Sequence, residues 1–205
     1  METQKYWIFQ TNIITWRNHP VQAKLIDPLA RNLVALYGSY GFRSETQNQP
    51  YGVAPDLTYQ VNPRHPHPDN YFQSAGFTLY SERLVDLLKE YGVKAEVFPV
   101  KMVDKAGSPL SSLKYFIFHL LEGVIDAIDV EKSSWIDDRT IGVPRLVLRE
   151  GFEPRPMFKC DRIFLRLMRD DLRQEIRQHG ITGFAFLAPE HYRSGQYGQA
   201  PAFED

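Results

Sequence analysis

The chain has 205 residues, enough for one large domain or two small ones, and its 43% hydrophobic and 13% aromatic content can fill a core, which excludes global disorder. Lys and Arg number 24 against 25 Asp and Glu, for a formal net charge of -1, so the basic excess expected of a duplex-binding module is missing. The longest apolar stretch, residues 115–121, is too short to span a bilayer, and the single cysteine, Cys160, excludes an internal disulfide and suits a reducing compartment.

The opening Met1-Glu2-Thr3-Gln4-Lys5-Tyr6-Trp7 lacks the basic stretch and apolar run of a secretory signal, so a cytoplasmic protein with no membrane partner is expected. Tyr6-Trp7-Ile8-Phe9 reads as a first strand. Residues 25–37 have helical apolar spacing, with Asp27 as cap and Pro28 in the first turn. Residues 42–72 hold Pro50, Pro55, Pro63, Pro66 and Pro68 and predict an extended loop with one short strand at 57–61. Residues 1–75 are therefore expected to form an N-terminal segment, as part of one domain or as a small subdomain, ahead of a better patterned domain over 76–205.

In that second part, residues 77–80 predict a strand and Ser81 a helix cap. Leu84, Val85, Leu87, Leu88 and Tyr91 form one apolar face, Gly92 stops the helix, and residues 93–100 return as a strand. Residues 115–121 are apolar on both faces and predict a central strand, and Leu146-Val147-Leu148 a short one. Ile163-Phe164-Leu165 leads to a cap at Asp170 or Asp171, a helix through Leu172, Ile176 and His179, a stop at Gly180 and a strand at 184–187. Gly92 and Gly180 lie 88 residues apart (180 − 92), and the same offset pairs Leu84 with Leu172, Leu88 with Ile176 and Phe98 with Phe186. The pattern predicts an α/β (α+β) protein: a mixed sheet with a few packed helices and two similar helix–Gly–strand units.

Residues able to carry chemistry are sparse. His65-Pro66-His67-Pro68 brings two imidazoles near Asp69, but the prolines hold them extended, which suits a solvent loop better than a metal site. His119 sits in an apolar strand as a core histidine, and His179 at a helix end where its charge suits the dipole. Cys160 reads as buried and inert. Glycine-rich phosphate loops, nucleophile elbows and zinc-protease pairs are missing, so no catalytic, cofactor-binding or metal-binding residue is assigned. The densest carboxylates are Asp126, Asp129, Glu131, Asp137 and Asp138, with Trp135 among them. They could serve acid–base or metal chemistry, a solvated turn with capping aspartates, or a protein-binding patch with an aromatic anchor and charges that attract a basic partner.

Residues 126–133 (Asp-Ala-Ile-Asp-Val-Glu-Lys-Ser), the segment Leu79-Tyr80-Ser81-Glu82-Arg83-Leu84, Val97-Phe98-Pro99-Val100 and His179-Gly180-Ile181-Thr182-Gly183-Phe184 together resemble the immunity protein eleven family of bacterial polymorphic toxin systems. The likeness covers roughly residues 76–189, and it departs at Arg169, where such proteins often carry a serine cap. It implies an immunity-protein-like domain over 76–205 and a cytoplasmic protein, encoded beside a toxin, that binds and neutralises it. The toxin it implies is often a nuclease, as in type VI secretion, and the likeness implies no cofactor and no turnover. Asp126, Asp129, Glu131, Trp135, Asp137 and Asp138 are then the expected partner-binding residues, with no direct contact to nucleic acid. An effector-specific adaptor or chaperone, and an enzyme whose active site assembles from distant segments, are the competing classes.

Overall fold

The computed structural model describes residues 5–12, 15–16, 19–26, 50, 56–71, 77–124, 127–133, 146–160 and 165–192. Strands β1 (Tyr6–Thr11), β2 (Thr15–Trp16), β3 (His19–Pro20), β4 (Lys24–Leu25), β5 (Thr58–Gln60), β6 (Asn70–Tyr71) and β7 (Leu79–Ser81) precede helix α1 (Glu82–Glu90). Strands β8 (Ala95–Pro99), β9 (Lys101–Val103), β10 (Tyr115–Leu120), β11 (Gly123–Val124), β12 (Met157–Cys160) and β13 (Leu165–Arg169) precede helix α2 (Asp170–Gln178). Strand β14 (Phe184–Leu187) and a 3-10 turn, Pro189–His191, follow. The fold is mixed α+β, as the alternation of apolar strands and short amphipathic helices requires.

The chain forms two compact units, one from residues 1–10, 122–178 and 184–205, the other from 11–121 and 179–183. The first holds a five-stranded sheet in the order β11-β12-β13-β1-β14, with α2 packed on β13. Tyr6, Ile8, Phe158, Leu165, Leu167 and Leu187 bury their side chains in its core. The second holds a four-stranded sheet, β6-β7-β10-β8, a three-stranded sheet, β4-β5-β9, and the β2-β3 pair. Its α1 lies on β7 and β10, and Tyr59, Tyr71, Leu79, Tyr115 and Ile117 sit in its core. β10 is central, flanked by β7 and β8, as its two apolar faces demanded.

The two helical units have the same plan. Both helices have nine residues, and each is reached directly from a strand, β7 or β13. A glycine with positive φ ends each turn, Gly92 at 73° and Gly180 at 59°. The returning strand, β8 or β14, is separated from the leading one by a single strand, β10 in one case and β1 in the other. The starts differ. Ser81 is extended and its hydroxyl accepts from the Leu84 N–H at 3.4 Å, a side-chain N-cap. Arg169 stands at the equivalent place before α2, so Asp170 and Asp171 lie inside the first turn rather than ahead of it. There their charges still favour the positive helix end, and the Asp171 carboxylate accepts from the Leu172 N–H at 2.8 Å.

The segment 25–37, expected to carry a helix capped by Asp27, is preceded by a strand. Lys24–Leu25 is strand β4, paired with Gln60 and Tyr59 of β5, and Leu25 packs against the second core. Asp27, Pro28 and the rest of that segment lie outside the described residues. The strand expected at 57–61 is present as β5, whereas β9, β11 and β12 carried no recognisable alternation and were missed.

Among the described residues, Gly183 is the glycine under the tightest constraint. Its φ is 88°, and a Cβ there would stand 2.3 Å from the Asn70 carbonyl oxygen, a backbone atom that cannot swing away. Gly92 and Gly180 have open space at the same position. Gly183→Ala should therefore destabilise by about 2–3 kcal/mol, combining left-handed strain with overpacking. Gly180→Ala should cost only about 1 kcal/mol from strain alone. Urea unfolding midpoints test the ranking; equal shifts for both variants would contradict it.

Candidate functional site

The acidic segment rests on a hairpin stem. Ile128 and Leu148 face each other across an antiparallel bridge. The Asp129 N–H donates to the Val147 carbonyl at 2.9 Å, and the Arg149 N–H to the Ala127 carbonyl at 2.9 Å. Ala127 and Ile128 are buried, so the stem is anchored in the first core. Ser133 is also buried, and its hydroxyl bridges both backbone groups of Val147, accepting from the N–H at 3.0 Å and donating to the carbonyl at 3.3 Å.

Asp129 works locally. Its carboxylate accepts from the Lys132 N–H at 3.1 Å and pairs with the Lys132 ammonium at 3.2 Å, while its carbonyl accepts from the Ser133 N–H. The Lys132 N–H, aided by the Lys132 charge, holds this carboxyl below the usual range. Asp129 thus shapes a turn, and Glu131 is exposed upon it. Asp126, Trp135, Asp137 and Asp138 lie outside the described residues.

Among the described residues, two grooves lie at the surface. One, of about 270 Å³, runs beside the stem and is lined by Lys5, Tyr6, Leu146, Val147, Leu148, Pro189 and Glu190. The other, of about 420 Å³, is mostly apolar and lies in the second unit against Val100, Leu110, Leu113 and Phe116. Lys101 and Lys114 at its rim are already paired, with Asp56 and Glu82, each at 3.0 Å.

Among the described residues, Asp69 is the most densely bonded charge. Arg83 grips it with two donors, Nε to Oδ1 at 2.6 Å and Nη2 to Oδ2 at 2.5 Å. The Ser81 hydroxyl donates to Oδ1 at 2.6 Å, and Thr182 donates its N–H at 2.9 Å and hydroxyl at 3.1 Å to Oδ2. Arg83 also reaches the Gly180 carbonyl at 3.1 Å. The helix cap of α1 and the turn after α2, two of the segments behind the family resemblance, therefore meet on one carboxylate. Burial alone would raise its pKa, but the bonds from Arg83, Ser81 and Thr182 outweigh that and hold Asp69 below the usual carboxylate range. A carboxylate so fully engaged holds structure together; it has no lone pair placed to move a proton.

The remaining candidates are also occupied by structure. His65 bonds Asn62 at 2.9 Å and His67 bonds the Tyr71 hydroxyl at 3.2 Å, so the two imidazoles serve different partners. Burial, with His65 nearby, lowers the His67 pKa. His119 is buried in β10, His179 follows α2, and Cys160 is buried in β12. Sequence reasoning missed Trp7: its indole N–H donates to Asp170 at 2.6 Å, and Lys5 and Arg173 lie 4.4 and 3.7 Å from its ring. Nothing in the local pattern of β1 pointed to a partner more than 160 residues away.

Asp69→Ala should cost about 2–4 kcal/mol, because Ser81 and Thr182 lose their acceptor along with Arg83. Arg83→Ala should cost nearer 1 kcal/mol, since that side chain is 57% exposed. A depressed carboxyl contributes its stability in full above the unfolded value of about 4 and loses it as pH falls through the folded one. Asp69→Asn should accordingly flatten the loss of stability between about pH 5 and 3. Identical acid slopes for wild type and variant would contradict this.

Among the described residues no helix is long and apolar enough to cross a membrane. No curated protein matches the chain. Residues 5–190 match the family model described as Immunity protein family (Imm11), which takes in both compact units and the Asp69 network. A match over that much of the 205 residues establishes the family: this chain belongs to the Imm11 immunity proteins.

Proposed function

We propose that this protein is a cytoplasmic bacterial antidote that binds a cognate toxin and neutralises it by occlusion, without turnover and without a cofactor. Membership of an immunity protein family is the observation that carries the reading. The dominant polar network supports it, because Asp69, Arg83, Ser81 and Thr182 satisfy one another. In this reading the toxin is a nuclease effector of a polymorphic toxin or type VI secretion system. The partner is then a protein domain, with no direct contact to nucleic acid or membrane.

The proposed contact surface is the acidic segment. Residues 130–147 join the two sides of the stem and carry Glu131, Trp135, Asp137 and Asp138, while Asp126 and Asp129 flank its start. A nuclease carries positive charge to hold phosphates, and an acidic partner can use that same charge. Attraction of this kind speeds encounter, while a buried aromatic anchor sets the lifetime of the complex.

Reversing the charge at Asp137 and Asp138 should chiefly slow association and weaken its salt dependence. Trp135→Ala should chiefly speed dissociation, by on the order of 2 kcal/mol for a central anchor. Co-expression with the neighbouring toxin, scored for survival beside binding kinetics, is the test. Wild type that neither protects nor forms a complex would remove the toxin-binding reading. Protection that persists in folded Trp135→Ala and in both charge reversals would leave that reading and discard this surface.

A further inference from the structure

The groove beside the hairpin stem is lined on the stem by Leu146, Val147 and Leu148. In an antiparallel ladder, residues opposed between two hydrogen bonds turn their own N–H and C=O groups to the outer edges. Ile128 and Leu148 are such a pair, set between the Asp129–Val147 and Arg149–Ala127 bonds. Ile128 is only 1% exposed, so its outer edge is closed. Leu148 is half-buried and lines the groove, and among the described residues neither its N–H nor its C=O meets a hydrogen-bonding partner. Tyr6 and Pro189 also line the groove, as do the exposed Lys5 and Glu190.

An unsatisfied donor and acceptor on one edge residue is the complement of extended polypeptide, which can supply one of each at the matching spacing. An extended segment also projects alternate side chains to one face, and the groove's lining includes the apolar Leu146 and Pro189 and the Tyr6 ring. We propose that the Leu146–Leu148 edge receives an extended segment of the toxin, which adds a strand to the stem through the N–H and C=O of Leu148. The proposal rests on the toxin-binding reading. The toxin is chosen as occupant because this edge is continuous with the chain that carries Glu131 and the rest of the proposed contact surface.

Amide hydrogen exchange on the full chain, alone and with the toxin encoded beside it, tests this directly. In the free protein the Leu148 amide should exchange at least tenfold faster than those of Asp129 and Arg149, which are hydrogen-bonded within the stem. In the complex it should slow by tenfold or more. Leu148→Pro, which removes the donor, should weaken binding at least tenfold while the exchange of the β12–β13 amides stays as in wild type. A complex in which the Leu148 amide exchanges as fast as before overturns the proposal and leaves toxin binding intact. Concentration-dependent protection without toxin, with a dimer in solution, makes a second copy the occupant and also overturns it. Absence of any complex with wild type removes the toxin-binding reading itself.

Discussion

A carboxylate kept away from water must be repaid by nearly every donor around it, and Asp69 organises its unit through that requirement. Its side chain is 4% exposed and is satisfied from three directions, by the α1 cap residue, by the first turn of α1 and by the turn that follows α2. Backbone bonds reinforce the arrangement: the Ser81 N–H donates to the Asp69 carbonyl and the Asn70 N–H to the Thr182 carbonyl. The 179–183 segment can only reach that position if Gly183 comes against Asn70, which is why no side chain fits there. Cap, turn and glycine are consequences of one buried charge.

The two helical units solve the same problem with different chemistry. Each needs its leading strand to turn directly into a helix, leaving the first N–H groups without partners. Near Ser81 a hydroxyl supplies one acceptor and is itself held by Asp69. At α2 the acceptors are carboxylates, and Asp170 serves the Trp7 indole, Arg173 at 3.3 Å and Gln174 at 2.8 Å together. The stacking of Arg173 on Trp7 adds a cation–π contact in a site where both residues are nearly closed to solvent. Shared topology with unshared polar detail is what two copies of one supersecondary plan would show once each had packed into its own core.

The charged groups of the molecule divide by what surrounds them. Asp69, Asp170 and Asp171 have donors within hydrogen-bonding distance and act as structural acceptors. Asp129 joins them, because its turn consumes both its carboxylate and its carbonyl. In the proposed reading, recognition falls to groups that folding leaves over, among them the exposed Glu131 and the outward backbone of Leu148. Association by charge and anchoring by desolvation ask for just such a separation between groups used in folding and groups held in reserve.

Much of the fold was legible in the chain because its determinants are local. Ser81 before an apolar stripe, glycine after it and alternating aromatics return the same elements in any context, and α1, α2, β1, β10 and β14 stand where these signals placed them. Gly92 and Gly180 were recognisable because a helix stop needs a left-handed residue. Tertiary structure decided whatever depended on distant partners. It made Lys24–Leu25 a strand, because β5 offered a ladder. It gave Asp69 its role, because Ser81, Arg83 and Thr182 converge only after folding. It also turned the N–H and C=O of Leu148 to the outer edge, since the edge on which a backbone group falls is set by register, and register is a property of the paired strands rather than of either sequence alone.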